Sequence, residues 1–544
     1  MKTVKFIAVV CAIALTVFLL ACGPSVGSAD EGKSPGGTPA VEETPTKEAL
    51  VSGRPLLCEP EKKEEIDFTI LNTDILPALQ EYSIYWRLAD ADAEENKGEI
   101  ARKATNAFLN ALNVPLSDIP DWFTDMRDEE VRKAVQEGRD VNYAFLNDAF
   151  KRFVQDSRYE RYDDPEQKFK MFEAVNTGFI DAVGDPFAAY ITPEQIKAGA
   201  LDHSGTFYGI GSSLGPNKNN EWELQNIFEG GPADSSGLVQ DHDVIVAVDG
   251  KSVKGCLAGN ISGAIKGPEG TAVTLTLKRN GKEFDARLTR GKVRMELVES
   301  WPAFNWPDGR GSTNKTLQYL FPLQDRVGNS APNIAYVQIK SFEVQTAQDL
   351  HFVLKSMPWE RIEGLVVDLR GNGGGLVSSV AAISSYFLDS GDVLMKQEDA
   401  SGRTKILRIP SMEVSDSSGM TYSANLVPAE VPVVILVDRG SASGSEVMAA
   451  ALQEHERATL IGTRTAGKGT VNNFFPIRRG EYGAMYIAIE LWRTPNGKFI
   501  EPTFESEEGG LPPDYIVEQR NPSPDNDEYI FKAIEVLRDQ TRAK

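Results

Sequence analysis

The run Val433-Val434-Ile435-Leu436-Val437 is short, wholly apolar and mostly β-branched. A strand wetted on one face alternates polar and apolar residues, whereas one covered on both faces does not, so this run predicts a strand deep in a sheet. It ends at Asp438-Arg439-Gly440, and Glu446-Val447-Met448-Ala449-Ala450-Ala451-Leu452-Gln453 then predicts a helix beginning near Ser445. Gly364-Leu365-Val366-Val367-Asp368-Leu369-Arg370 repeats the grammar and runs into Gly371-Asn372-Gly373-Gly374-Gly375. That turn is so poor in side chains that a ligand backbone can lie against it, although by itself it reads equally well as a plain left-handed turn before a helix. Two such strands, each ending in a glycine-rich turn, predict an open α/β sheet with a site at the strand ends.

The later turn, Gly440-Ser441-Ala442-Ser443-Gly444-Ser445-Glu446, places Ser443 between strand and helix. Free N–H groups at a helix start can stabilise charge developing on a substrate carbonyl. Further on stands Lys468, bracketed by Gly467 and Gly469 and short of acidic neighbours in sequence. A serine hydroxyl needs a base to take its proton, and a lysine held neutral by its surroundings serves. Small-residue clusters are more often caps or loops and most lysines are solvated, so neither residue carries this chemistry alone. Gly462-Thr463-Arg464-Thr465-Ala466-Gly467-Lys468 also fits G-x-x-x-x-G-K. The phosphate-loop reading fails because Gly469 stands where Ser or Thr is needed, and Val471-Asn472-Asn473-Phe474-Phe475-Pro476 reads as extended chain. Of His203, His242, His351 and His455, only the last lies on the predicted nucleophile helix, about three turns from its start and so directed elsewhere. With no His-x-x-x-His or Cys-x-x-Cys cluster, neither a metal nor another cofactor is indicated.

Ser-Ala-Ser-x-Ser-Glu followed by Gly-Lys-Gly, and preceded by Asp-Leu-Arg-x-Asn-x-Gly-Gly, resembles the carboxyl-terminal processing (tail-specific) peptidases of family S41. The resemblance spans roughly residues 165–520. It takes in Gly184-Asp185-Pro186-Phe187-Ala188-Ala189-Tyr190-Ile191-Thr192-Pro193-Glu194, the Ile334-Ala335-Tyr336-Val337-Gln338-Ile339 strand with Ser341-Phe342, and Gly510-Leu511-Pro512-Pro513-Asp514. It implies an α/β core like those of the crotonase and ClpP folds, with Ser443 as nucleophile and Lys468 as general base. It also implies an oxyanion hole from the amides of Gly444 and the Gly374-Gly375 pair, Gly375 being favoured. The family's lysine-orienting glutamine is replaced by Asn472, one methylene shorter, and its commoner alanine by Gly444.

Residues 204–292 read as a separate β-rich module. Asp243-Val244-Ile245-Val246-Ala247-Val248-Asp249-Gly250 is a strand and turn, Thr271-Ala272-Val273-Thr274-Leu275-Thr276-Leu277 alternates, and Arg279-Asn280-Gly281-Lys282 closes a hairpin. With Gly230-Gly231-Pro232-Ala233 and Gly237-Leu238 it resembles a PDZ domain. The resemblance implies capture of a peptide's terminal carboxylate at Tyr208-Gly209-Ile210-Gly211 and addition of the peptide as a strand; the alternative is that these glycines only shape the start of a strand.

At 544 residues the chain has room for several domains. Residues 1–22 read as a lipoprotein-type signal: a basic start, an apolar stretch too short to span a membrane, and Leu19-Leu20-Ala21-Cys22, which would make Cys22 a lipidated N terminus outside the cytoplasmic membrane. A secreted or periplasmic protein with an ordinary signal is the alternative. Residues 23–66 form a polar, Pro/Gly/Ser-rich linker, 67–203 a helical region that packs on the core or mediates association, 293–520 the α/β core and 521–544 a closing helix. Cys58 and Cys256 are expected as free thiols, since pairing would need the linker to fold back on the PDZ module. The stretch 298–332 is a lid or, more simply, a surface loop. A net charge of −22 argues against nucleic acid as a partner. The expected partners are proteins or peptides with accessible C termini and, through lipid, the membrane; self-association is left open. The reading is an extracytoplasmic serine endopeptidase with a Ser/Lys pair. Its rivals are a weakly active or inactive PDZ scaffold and a crotonase-like acyl-CoA enzyme.

Overall fold

The structure is a computed structural model that describes residues 67–88, 94–182, 184–197, 206–219, 221–228, 230–254, 256, 258–294, 297–302, 322–410, 413–415, 421–501, 509–519 and 526–542. The signal, Cys22, the linker, Cys58 and residues 303–321 lie outside this set.

The central sheet has six strands in the order Val298–Trp301, Ile334–Ile339, Gly364–Asp368, Val433–Val437, Ala458–Gly462, Tyr515–Ile516. The first pair is antiparallel and the others are parallel. The unbroken apolar runs have the predicted cause. Leu365, Val367, Val433, Ile435 and Val437 join a core beneath the helices Val344–Ser356, Val377–Ser384 and Gly444–Glu454. Val366, Val434 and Leu436 point the other way, into a second core closed by the helix Glu528–Arg542. The C-terminal helix is therefore a layer of the catalytic body, not an appendage. The start of the 298–332 stretch is likewise not loop, because Val298–Trp301 pairs along Ile334–Ile339.

A second sheet stands over the strand ends. Its long strand Ala484–Arg493 pairs with Ala189–Ile191, Val393–Asp399 and Thr470–Pro476, and Val393–Asp399 pairs in turn with Thr404–Arg408. Met485 and Ile487 bury themselves in the core of the helical region, whose helices Glu94–Ala111 and Pro165–Asp181 pack together. Ala189–Ile191, expected within the helical region, is thus a strand of the catalytic body. Alternation along a strand shorter than four residues is too brief to read from sequence.

The PDZ module carries its own core and a sheet ordered Ser212–Pro216, Trp222–Ile227, Val244–Val248, Ala272–Arg279, Lys282–Thr289. The expected hairpin closes with Arg279 opposite Lys282 and positive φ at Asn280 and Gly281. Thr206–Gly209 pairs with Gly291–Arg294 where the chain enters and leaves. Cys256 is disulfide-bonded, against the expectation of a free thiol. The other three cysteines lie outside the described residues. Among the described residues no helix is long and apolar enough to cross a membrane.

Asp368, at the end of its strand, accepts the Tyr336 hydroxyl at 2.8 Å and a fork of bonds from Arg370, which also reaches Asp527 at the start of the C-terminal helix. Removing one partner of a buried charge pair leaves the other uncompensated. Asp368→Ala is expected to destabilise the catalytic body by about 3 kcal/mol, read as a lower urea midpoint.

Candidate active site

Because Gly364–Asp368 lies directly beside Val433–Val437, with Leu365 opposite Val433, their two glycine-rich turns leave the sheet as neighbours. Asn372 fastens them. Its side chain donates to Ile339 O at 2.8 Å and accepts the Gly374 N–H at 2.9 Å, while its carbonyl accepts from Ala442 N at 3.0 Å and Ser445 Oγ at 2.8 Å. Gly371 N donates to Asp438 Oδ1 at 2.9 Å and Ser441 Oγ to Leu369 O at 2.8 Å. The approach is close enough to require glycine: a Cβ on Gly374 would sit 2.7 Å from Gly444 N, and one on Gly375 2.4 Å from Phe342 O. Both also have positive φ, at +103° and +143°.

Ser443 caps the helix Gly444–Glu454 with φ 53° and ψ −115°. Such a backbone is costly for a residue with a side chain and persists only where its surroundings impose it. The amides of Gly444 and Gly375 have no acceptor among the described residues. The Gly374 amide is spent on Asn372, so of that pair Gly375 alone is left to meet an oxyanion. Gly444 occupies the place of an alanine for a steric reason: a Cβ there would lie 2.8 Å from the Val380 side chain.

Glu446 holds the arrangement together. Its carboxylate is fully buried, with Oε2 accepting from Ser443 N at 2.8 Å and Lys468 N at 2.9 Å, and Oε1 from Gly467 N at 2.7 Å and Thr465 Oγ1 at 2.5 Å. Burial pushes its pKa above the usual range, against the pull of these four donors. One side chain thus fixes the backbone of both Ser443 and Lys468. The Trp492 indole adds a bond to Lys468 O at 2.8 Å.

Ser443, Lys468, Gly375 and Gly444 open onto one cavity of about 440 Å³. The Lys468 amine lies 5.1 Å from the centre of the Phe187 ring and 5.4 Å from that of Tyr486, and its hydrogen bond, at 3.4 Å, goes to the Tyr486 hydroxyl. No hydrogen bond joins it to Ser443 among the described residues. Its scarcity of acidic neighbours holds in sequence and fails in space. Asp185, held by the amides of Phe187 and Ala488, and Glu501, held by the Tyr85 hydroxyl, both feel its charge. Burial is the largest influence on each and raises both above the usual carboxylate range.

Residues 333–517 match the model for peptidase family S41, and residues 227–279 match that for a PDZ domain. The carboxy-terminal processing protease CtpA of Bacillus subtilis is 30% identical over 66% of this chain and 67% of its own length. The carboxy-terminal-processing protease of Bartonella bacilliformis is 28% identical over 65% and 71%. The chain belongs to peptidase family S41.

Within this S41 chain Asn472 lines the same cavity but does not hold the lysine. Its Oδ1 accepts from Thr470 Oγ1 at 3.2 Å and its buried Nδ2 has no acceptor among the described residues. The strand pairing is irregular between Val471 and Asn472, which re-aims the side chain there. His455 ends the nucleophile helix and bonds Val393 O at 2.9 Å, away from Ser443.

In the PDZ module the Tyr208-Gly209-Ile210-Gly211 segment is held by Gly267 N on Tyr208 O, Ala233 N on Ile210 O and Phe228 N on Gly211 O. It leads into Ser212–Pro216, an edge strand that among the described residues pairs only with Trp222–Ile227 and lies near the helix Ala258–Ile265.

Glu446 and Asp185 escape a search for nucleophile and base, yet Glu446 had a signal: Ser443-x-x-Glu446 has the spacing of a capping box. Glu446→Gln keeps the volume but turns an amide NH₂ towards one pair of donors. Peptide hydrolysis is expected to fall about 10²-fold, and the urea midpoint to drop by the equivalent of about 2 kcal/mol.

Proposed function

We propose that this S41 peptidase is an extracytoplasmic serine endopeptidase that cuts C-terminal regions of proteins whose tails its PDZ domain holds. The observation that carries the reading is the Glu446 clamp, which holds the backbone of Ser443 and Lys468 together at one cavity that Gly375 and Gly444 also line. Lys468, after its side chain leaves Tyr486, takes the Ser443 hydroxyl proton as the oxygen attacks the scissile carbonyl. The carbonyl oxygen takes its negative charge against the two amides. Collapse breaks the C–N bond, and the same proton passes to the leaving amine. Water then attacks the acyl-serine, giving its proton to Lys468, and Ser443 regains a proton as the carboxylate leaves.

The outermost place of Ser212–Pro216 in its sheet, among the described residues, suits a peptide added as a strand, with its carboxylate at Tyr208–Gly211. A disulfide at Cys256 fits an oxidising compartment, and Leu19-Leu20-Ala21-Cys22 fits a lipid tether at Cys22. A second reading, a peptide-holding scaffold of low activity, draws on Asn472, which leaves the lysine without the amide partner of its relatives. The acyl-CoA reading falls with the family match.

On an unfolded protein with an accessible C-terminal tail, Ser443→Ala and Lys468→Ala are each expected to lower kcat/KM about 10³-fold or more. Asn472→Gln is expected to raise it. Equal residual turnover in wild type and Ser443→Ala identifies a scaffold. Removing residues 206–294 without loss of tail-dependent cutting refutes selection by the PDZ module.

A further inference from the structure

Two rings and a hydroxyl hold the Lys468 amine. Among the described residues its one hydrogen bond goes to the Tyr486 hydroxyl at 3.4 Å, and it lies over the rings of Phe187 and Tyr486, 5.1 Å and 5.4 Å from their centres. The rings come from distant parts of the chain. Phe187 follows the helix Pro165–Asp181, and Tyr486 belongs to the long strand Ala484–Arg493. What ties their two segments together is Asp185.

Asp185 is 6% exposed, and both its oxygens are spent on backbone: Oδ1 accepts the Phe187 N–H at 2.8 Å and Oδ2 the Ala488 N–H at 2.9 Å. The first bond closes the turn at Pro186-Phe187. The second fastens that turn to the long strand two residues beyond Tyr486, where the pairing that sets Ala189 opposite Tyr486 comes to its end. Hydrogen bonds to an ionised acceptor are the stronger kind, so one carboxylate does here what a longer strand pairing would otherwise do. Its charge and that of the Lys468 amine also attract each other. A contact that the base makes before reaction and gives up on the way to the transition state stabilises only the starting state, and its removal speeds the step. Under the proposed mechanism the amine leaves Tyr486 to reach the Ser443 hydroxyl, so its contacts with the two rings are of that kind.

We propose that Asp185 is a positioning residue that restrains the base: by bonding Phe187 and Ala488 it keeps the two rings set around the Lys468 amine, and loosening them frees the amine for Ser443. The inference rests on the peptidase reading and deepens it by naming what holds the lysine back. It assigns Asp185 a part opposite to that of Glu446, which fixes the backbone of Ser443 and Lys468 and leaves the direction of the lysine side chain open. Damage to packing lowers activity, whereas release of a restraint raises it, so the sign of the effect separates this role from a merely structural one.

The full chain is treated with a fluorophosphonate, which reacts with an activated serine, and the rate of labelling at Ser443 is read by mass spectrometry; kcat and KM are measured alongside on an unfolded protein with a C-terminal tail. Asp185→Asn leaves one acceptor oxygen for two backbone donors and removes the charge. Phe187→Leu takes away one ring at a half-buried position and spares the bonds of Asp185, which go to backbone. Each is expected to raise the labelling rate and kcat about fivefold with KM little changed, the worth of one contact between a cation and a ring. In a Lys468→Ala background neither is expected to change the labelling rate, because the restraint has nothing left to act on. A rate in Phe187→Leu at or below that of wild type overturns the proposal. So does a rise that persists without the lysine side chain, since the ring then shields the serine itself. A rise in Phe187→Leu with none in Asp185→Asn removes Asp185 from the restraint and overturns its assignment. If Ser443→Ala cuts the tailed protein as fast as wild type, the peptidase reading fails and the restraint with it; if cutting depends on Ser443 and Lys468 and only the rise is missing, the restraint fails alone.

Discussion

A single buried carboxylate sets the distance between the two halves of the site. Glu446 takes hydrogen bonds from the amides of Ser443, Gly467 and Lys468 and from the Thr465 hydroxyl. Ionised hydrogen-bond partners give stronger bonds than neutral ones, and four donors to one group offset a desolvation that would otherwise be prohibitive. Ser443 keeps a positive φ because its own N–H is tied down three residues ahead. Lys468 keeps its place because the turn around it is hung from the same two oxygens. The helix start, the strained backbone of Ser443 and the glycine-bracketed lysine are consequences of one anchor.

What the sequence made legible is what nearest neighbours along the chain decide. Val433–Val437 reads as buried on both faces because helices cover both faces. The turn at Gly374-Gly375 reads as a place of close approach because a Cβ there meets backbone. The PDZ hairpin reads from Asn280-Gly281 because only such residues take that turn comfortably. What was hidden is what distant segments bring together. Asp185 and Glu501 reach the lysine from opposite ends of the catalytic body, and nothing in the sequence around Lys468 announces them. Asn472 keeps the spacing of an orienting residue, but the irregular pairing at Val471 decides where its amide goes. Cys256 is disulfide-bonded where a free thiol was expected, because the path of the linker is not written in its composition.

The strand Ala484–Arg493 couples these parts. Tyr486, Glu490 and Trp492 face the cavity, while Met485 and Ile487 sit in the core of the helical region. Phe187 reaches the lysine from the segment that follows the last long helix of that region. The helical region therefore borders Lys468 through its packing, at Phe187 and Tyr486.

That coupling bears on where the lysine amine rests. Two aromatic faces attract an ammonium, each by about 1 kcal/mol, and Asp185 and Glu501 add to the attraction wherever they are ionised. Its bond to the Tyr486 hydroxyl keeps the amine at these rings, with no hydrogen bond to Ser443 among the described residues. Under the proposed mechanism the amine leaves this position to reach the serine, so the contacts at Phe187 and Tyr486, which the packing of the helical region supports, are the ones the chemistry has to break.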